Sequence, residues 1–258
     1  MTSEHTAGPE DRFNWLERSG DDFPYYNGRP VLISGGQWWF VMLAVAAGFA
    51  LLIYPLPFLR GTFTKLVPPI LYWAVPLAAL AMVAGTHWKA LFRKLRGMDF
   101  VWILVFFVLN FLITLVTGSI IVAFFEHTAN PVSDSMVVAS TMGKVLFFVR
   151  TGIQLFGEEV FSILPFLALL YWLNARLRMP RKKAIVLAAL GVALIFAAVH
   201  LPTYQWHLPQ ALIGVGIARL VLLLPYIMTK NIWVSTGAHI LNDWAIFGLP
   251  LLASGAAS

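Results

Sequence analysis

Long, uninterrupted runs of apolar residues constrain the fold of this chain more than any other feature. A helix that crosses the hydrocarbon core of a bilayer needs about 20 such residues in succession. Of the 258 residues, 59% are hydrophobic and only 12% are charged. The short alternating segments that are typical of membrane β-barrels are absent from the sequence. The sequence therefore predicts an all-α fold, a polytopic transmembrane helical bundle.

We predict about seven spans, or eight if the longest apolar stretch forms a plain two-helix hairpin. Six of the spans cover about residues 37–59, 66–86, 100–125, 184–200, 209–228 and 232–252. The stretch 136–173 is too long for one upright span and too short for three. We expect it to form one spanning helix preceded by a re-entrant or interfacial helix, with a break near Gly152 or Gly157.

Basic residues are concentrated in two loops, at residues 87–97 and 175–183, whereas the loop 126–135 has no Lys or Arg. Because basic loops favour the cytoplasmic side, we expect these two loops and the N-terminus to be cytoplasmic and residues 126–135 to be outside. Such loops also account for the net charge of +6. The positive charge is therefore no indication of nucleic-acid binding.

The chain divides into three predicted parts. Residues 1–36 are polar and lack the basic-then-apolar order of a cleaved signal peptide, which indicates a cytoplasmic or interfacial segment. Residues 37–135 would hold the first three transmembrane helices, and residues 136–258 a transmembrane domain resembling a catalytic core.

There is no cysteine, which excludes disulfides, thiolate nucleophiles and Cys-ligated metals. The compact length and the lack of organelle signals favour a multi-pass protein of the cell membrane, in a bacterium the inner membrane.

Two adjacent glutamates, Glu158 and Glu159, lie inside the longest apolar stretch. A carboxylate at the centre of a bilayer costs about 2.5–3.5 kcal/mol on insertion scales, so such residues usually have a function. Neighbouring helix residues point about 100° apart, which predicts different tasks for the two side chains. One interpretation is a catalytic carboxylate beside a structural one. The alternative is a structural pair neutralised by Lys144 or Arg150.

Two further pairs follow at helical spacing on later apolar segments. Phe196 and His200 are four residues apart, as are His239 and Asp243, so each pair shares a helix face. A histidine at the end of a span is often an interfacial residue, and a buried His–Asp pair can be a hydrogen bond between packed helices. Carboxylates and imidazoles that converge inside a membrane instead indicate catalysis or ion handling.

Glu-Glu, Phe-xxx-His and His-xxx-Asp occur here in this order on three separate predicted helices. The pattern resembles the CAAX protease and bacteriocin-processing family of intramembrane glutamyl proteases, which includes the type II CAAX prenyl endopeptidases. The family pattern is EExxxR, then FxxxH, then HxxxN or HxxxD, and the resemblance covers about residues 157–244. The arginine of EExxxR falls at Ile163, so Arg150 or Arg219 is a candidate to replace it.

The resemblance implies a membrane-embedded endopeptidase whose catalytic residues are Glu158, Glu159, His200, His239 and Asp243. Glu158 would be the general base that activates water, helped by His200, with Glu159 as a supporting carboxylate. His239 and Asp243 would bind or polarise the scissile carbonyl and its oxyanion. Because an ionised Asp243 would repel an oxyanion, we expect Asp243 to orient His239 or to be protonated. We expect no cofactor and no metal, with a divalent ion such as zinc as the alternative. The expected partners are a peptide or membrane-protein substrate and the lipid bilayer, and the oligomeric state is left open.

Two other functions are compatible with the sequence. A catalytically inactive family member could act as a membrane scaffold or a bacteriocin-immunity protein, and the isoleucine at position 163 favours this alternative. A proton-coupled transporter could use Glu158 and the histidines as a relay. Transporters of this kind usually contain repeated halves, and no internal repeat is visible here.

Overall fold

The protein is described by a computed structural model that covers residues 11–54, 61, 63–129 and 140–255. All regular structure within these residues is helical, which confirms the predicted all-α class. The seven described α-helices are α1 (Gly35–Ile53), α2 (Val67–Ala84), α3 (Gly97–Phe124), α4 (Thr141–Leu170), α5 (Arg181–His200), α6 (Ile217–Thr229) and α7 (Ile232–Gly255). A 3-10 segment, Gly85–Leu91, joins α2 to α3, and π-helical segments extend α4 (Tyr171–Arg176) and precede α6 (Gln210–Gly216).

Six of the seven α-helices, with their extensions, are long and apolar enough to cross a membrane. The exception among the described residues is α7, which we predicted as a seventh span. Its polar residues explain the lower hydropathy, because Ser235, Thr236, His239, Asn242 and Asp243 all lie within it. The helix nevertheless packs against α3, α4 and α6 as part of the bundle. The bundle is therefore polytopic, as predicted.

The predicted break near Gly152 or Gly157 is wrong, since α4 runs through both glycines as one helix. Both serve close packing instead. A Cβ on Gly152 would lie 3.2 Å from the Trp244 ring, and one on Gly157 would overlap the ring of Tyr72.

With its π-helical extension α4 has 36 residues. At 1.5 Å per residue it is about 54 Å long and exceeds the thickness of the hydrocarbon core. The separate interfacial or re-entrant helix that we predicted before this break is also wrong for residues 141–157, which belong to α4, and its first residues, 136–139, lie outside the described residues.

Helix α4 lies at the centre of the bundle, in contact with α1, α2, α5 and α7. Its first turns are largely exposed, whereas nearly every residue from Gly157 to Leu170 is buried. Its start is fixed by Ser140, whose side chain accepts a hydrogen bond from the backbone N–H of Gly143, a typical N-cap contact. The two glutamates therefore lie where α4 enters the core.

Residues 11–34 fold over one end of the bundle, where ionic contacts hold them. The carboxylate of Glu17 accepts two hydrogen bonds from Arg181 at 2.7 and 2.6 Å and one from Lys230 at 2.7 Å. Arg18 pairs with Asp99 at the start of α3. The N-terminal segment and both basic loops thus lie at this end of the bundle, which we call the basic end. This agrees with our prediction that all three share one side of the membrane.

The charged groups at the basic end shift one another's pKa values. Burial alone would raise the pKa of Glu17, but the hydrogen bonds from Arg181 and the charge of Lys230 outweigh it and lower the pKa to about 2. Burial lowers the pKa of Lys230 to about 8, a shift that Glu17 opposes. Folding of the N-terminal segment is thereby coupled to the charge state of Glu17.

Candidate active site

A buried ion pair forms the base of the candidate site. Glu159 on α4 accepts a hydrogen bond from the guanidinium of Arg219 on α6, at 2.6 Å between Nη2 and Oε1. Both side chains are 0% exposed. A buried charge is tolerated when an opposite charge and hydrogen bonds compensate for its lost hydration. Arg219 therefore supplies the opposite charge that the buried carboxylate of Glu159 needs.

Arg219 brings an arginine to Glu159, whereas position 163, where the family motif has its arginine, is an isoleucine. Nη1 of Arg219 donates to the Ser162 hydroxyl at 3.2 Å, and its guanidinium carbon lies 5.1 Å from the centre of the Phe196 ring. Ile163 is fully buried and belongs to the hydrophobic core. Of the two arginines that the sequence offered as replacements, the structure brings Arg219 to Glu159, and Arg150 is exposed.

His239 connects the ion pair to the other two carboxylates. Its Nδ1 lies 2.9 Å from Oε1 of Glu159, so Nδ1 carries a proton and donates it to that carboxylate. Its Nε2 lies 3.8 Å from Oε2 of Glu158 and 3.8 Å from Oδ1 of Asp243. These distances exceed that of a hydrogen bond and leave Nε2 facing a space between the two carboxylates.

Glu158 and Asp243 are the more accessible carboxylates of the group, with side chains 12% and 24% exposed. Glu158 accepts a hydrogen bond from Gln154 one turn earlier on α4, at 3.1 Å. Asp243 accepts one from its neighbour Asn242, at 2.9 Å. The site thus has a buried charged pair behind His239 and two partly accessible carboxylates in front of it.

His200 lies at the end of α5, beside Phe196. The two rings are 4.6 Å apart, which confirms that the Phe-xxx-His pair shares one helix face. Nδ1 lies 2.7 Å from the Phe196 carbonyl oxygen and must donate, because that oxygen has no hydrogen. Nε2 of the neutral ring is then an acceptor. Among the described contacts His200 has no hydrogen bond or ion pair with a site carboxylate, so its help to Glu158 stays a prediction.

Tyr204 is a residue near the site that the motifs did not predict. It lies in the loop 201–209 after α5 and is partly buried. Burial raises the pKa of its phenol, and the nearby charges of Asp243 and Glu158 raise it further. The phenol therefore stays protonated beside the two accessible carboxylates. No sequence signal indicated Tyr204, because it belongs to none of the three motifs.

The sequence that forms this site matches a known protein family. Residues 141–245 match the model of the family described as type II CAAX prenyl endopeptidase Rce1-like. This part of the chain is similar to the Rce1-like family. The match confirms the resemblance inferred from the three motifs. Comparisons with curated proteins and with solved structures gave no match.

The Rce1-like region begins at the first residue of α4 and ends within α7. It therefore contains Glu158, Glu159, His200, His239 and Asp243. It also contains Arg219, so both members of the buried ion pair lie within the matched region. The helices α1, α2 and α3 lie outside the match, and all three pack directly on the matched region.

The site lies well inside the bundle. Along their helices, His239 is about 10 Å from Ile232 at the basic end and Arg219 about 15 Å from Thr229, at 1.5 Å per residue. With a hydrocarbon core about 30 Å thick, both depths fall within the membrane. The family match supports a membrane protease, and the six apolar helices support a multi-pass membrane protein.

The described residues contain no group of three His, Asp or Glu side chains arranged to hold a metal ion. Around His239, one ring nitrogen is committed to Glu159 and the other lies equally far from two carboxylates. A mechanism without a metal stays a prediction, and the chelation experiment below tests it.

Proposed function

We propose that this protein is an intramembrane endopeptidase in which Glu158 activates a water molecule that hydrolyses a peptide bond. The observation that carries the proposal is the position of Nε2 of His239, 3.8 Å from both Glu158 and Asp243 on the accessible side of the buried Glu159–Arg219 pair. Hydrolysis of a peptide bond needs a base that can accept a proton from water and a donor that can bind the carbonyl oxygen, and Glu158 and Nε2 of His239 can supply these two groups.

In the proposed reaction, Glu158 removes a proton from water while the water oxygen attacks the carbonyl carbon of the scissile bond. The carbonyl oxygen becomes an oxyanion, to which the doubly protonated ring of His239 donates through Nε2. Glu158 then passes its proton to the amide nitrogen, the carbon–nitrogen bond breaks, and an acid and an amine leave. Glu158 ends the cycle as a carboxylate.

Glu159 and Arg219 do not contact the substrate in this reaction, and their task is to position His239. The hydrogen bond from Nδ1 of His239 to Glu159 fixes the ring orientation and directs Nε2 towards the substrate carbonyl, and Arg219 fixes Glu159 in turn. Asp243 would repel an oxyanion if it were ionised. Its hydrogen bond from Asn242 holds it beside the ring, so we assign it to the orientation of His239 rather than to the oxyanion.

A farnesylated peptide with a CAAX end is the first probe to use, because the family is described as CAAX prenyl endopeptidase-like. Purified protein in lipid nanodiscs should release the last three residues of the peptide, detected by mass spectrometry. Glu158→Gln should lower this rate at least about 100-fold, the lower range for loss of a general base. Glu126→Gln makes the same chemical change at an exposed carboxylate and should leave the rate unchanged.

Chelation should leave the wild-type rate unchanged, and a loss restored by added zinc would contradict the metal-free mechanism.

An inactive membrane scaffold is the second candidate, since an isoleucine occupies the position of the motif arginine. Glu158→Ala separates the two functions in a cell-based phenotype. The endopeptidase predicts a loss of function, whereas a scaffold or immunity protein would keep its function with the variant. A proton-coupled transporter would lose transport of its substrate with Glu158→Ala, without any cleaved peptide in the wild type.

A further inference from the structure

A cavity of about 900 Å³ opens at the basic end of the bundle, away from the candidate active site. It lies between the N-terminal segment and the loop that joins α2 to α3. Its wall contains five cationic side chains: Arg12, Arg29, Arg93, Lys94 and Arg96. None of the residues assigned to peptide hydrolysis lines it. Its volume is in the range of small-molecule binding sites.

The acidic groups nearby do not neutralise this cavity. Asp22 is the one carboxylate in its wall, and its Oδ1 already accepts a hydrogen bond from Arg181 at 2.8 Å. Asp21 binds Arg93 at 2.6 Å and lies 3.5 Å from Arg96. Lys94 is exposed and forms no ion pair with any residue that the structure describes. An excess of positive charge therefore faces the cavity.

The cavity also lies at the membrane surface. The helices α2 and α3 are both candidate spans, so the 3-10 segment between them, which supplies Ala90 to the wall, lies where the chain leaves the bilayer and returns to it. Large apolar side chains project to the outside beside the cations: Leu32 is 65% exposed, Met98 55% and Leu95 40%. Cationic groups beside exposed apolar groups match an amphiphile with an anionic head and a hydrocarbon tail.

We propose that this cavity binds a phosphate-bearing anion, chiefly through the guanidinium group of Arg96 and the ammonium group of Lys94, which are exposed. Arg12 and Arg93, in contrast, already bind acidic or carbonyl groups of the protein. Arginine binds phosphate oxygens in pairs, and lysine adds a point charge. Two sources share this chemistry: the headgroup of an anionic phospholipid and a soluble phosphate compound. The exposed apolar rim favours the phospholipid.

The test uses a pair of exposed cations in the cavity wall, Lys94 and Arg96, and a matched pair outside it. Lys94→Gln with Arg96→Gln removes two charges from the cavity. Arg176→Gln with Lys183→Gln removes two charges from exposed positions in the other basic loop. Because all four side chains are exposed, both double variants should keep the wild-type melting temperature.

Native mass spectrometry of the purified protein, titrated with phosphatidylglycerol and separately with phosphatidylcholine, measures the bound lipid. We expect wild type to bind phosphatidylglycerol in preference to phosphatidylcholine. Each cation near an anionic lipid contributes about 1 kcal/mol, or about fivefold in affinity, so the cavity pair should weaken binding about 25-fold. The matched pair should leave it within about twofold of wild type, as expected for surface changes away from a site.

Inorganic phosphate distinguishes the two sources. If it binds alone and displaces phosphatidylglycerol at equal concentration, the site is for a soluble phosphate, whereas failure to displace assigns the site to the lipid. Equal losses in both double variants would overturn the proposal, since they would show general attraction to a basic surface. The proposal is also overturned if wild type binds neither phosphatidylglycerol nor phosphate.

Discussion

Replacement of Arg219 by leucine should destabilise the protein strongly, because it leaves the fully buried carboxylate of Glu159 without its counter-ion. Removal of one partner of a buried ion pair costs about 3–5 kcal/mol. The same change removes the hydrogen bond to Ser162 and the contact with the Phe196 ring. We therefore expect a loss of about 3–5 kcal/mol in the free energy of unfolding.

A double-mutant cycle isolates the ion pair from the other losses. Glu159→Gln alone leaves Arg219 buried without a counter-ion and should cost a similar amount. The double variant removes both charges and should cost less than the sum of the single changes, by at least about 2 kcal/mol, within the range seen for contacting residues. Chemical unfolding in detergent, followed by tryptophan fluorescence, measures all four proteins. Costs that add to within about 0.5 kcal/mol would refute a direct ion pair.

Arg150→Leu is the matched control, because it removes an exposed arginine from α4. Its effect should be within about 0.5 kcal/mol.

A relocated arginine tests the role of Arg219 in activity. Position 163 is one helical turn beyond Glu159, so Ile163→Arg combined with Arg219→Leu restores the spacing of the family motif. We expect this variant to recover stability and peptide cleavage relative to Arg219→Leu alone. A variant that regains the wild-type melting temperature but no activity would show that Arg219 acts on something other than the charge of Glu159.

Three further predictions concern separate parts of the molecule. His239→Ala should lower kcat for peptide cleavage about 100- to 1000-fold, as for loss of an oxyanion donor, and a change below about tenfold in a folded variant would contradict its role. Gly157→Ala should cost about 1–3 kcal/mol, because its Cβ would overlap the Tyr72 ring, whereas Gly118→Ala has open space and should be neutral or stabilising by up to about 1 kcal/mol in the same unfolding assay. The pKa of Glu17 is lowered from 4.5 to about 2, so the stability that this group contributes is complete above pH 4.5 and is lost as the pH falls towards 2. This loss is about 3 kcal/mol at most; unfolding free energies measured across that window should show it in wild type but not in Glu17→Gln, and equal pH dependence would contradict it.

The sequence could predict which of the polar side chains share a face, because helical spacing determines this. His239 and Asp243 are four residues apart and face the same space, and Phe196 lies beside His200 for the same reason. The choice between Arg150 and Arg219 could not be made from the sequence. It depends on where the bundle places Arg219 of α6 relative to Glu159 of α4, which is a property of the tertiary structure.

The contacts that the sequence could not predict are long-range or depend on side-chain volume. Glu17 and Lys230 are far apart in the chain, and no local pattern indicates that they meet. The glycines of α4 suggested a break because glycine weakens helices by about 1 kcal/mol. That cost is small beside the packing of α4 against Tyr72 and Trp244, which requires the missing Cβ atoms.

The most direct test of the central claim is a comparison of new peptide termini in membranes that contain wild-type protein or Glu158→Gln at equal levels. Proteome-wide mass spectrometry detects such termini whatever the substrate is, and cleavage in ¹⁸O-labelled water marks each new carboxylate. If Glu158 activates the hydrolytic water, labelled termini will be found with wild type and will be absent with the variant. Identical sets of labelled termini in the two samples would contradict the proposal that this protein is a glutamate-dependent endopeptidase.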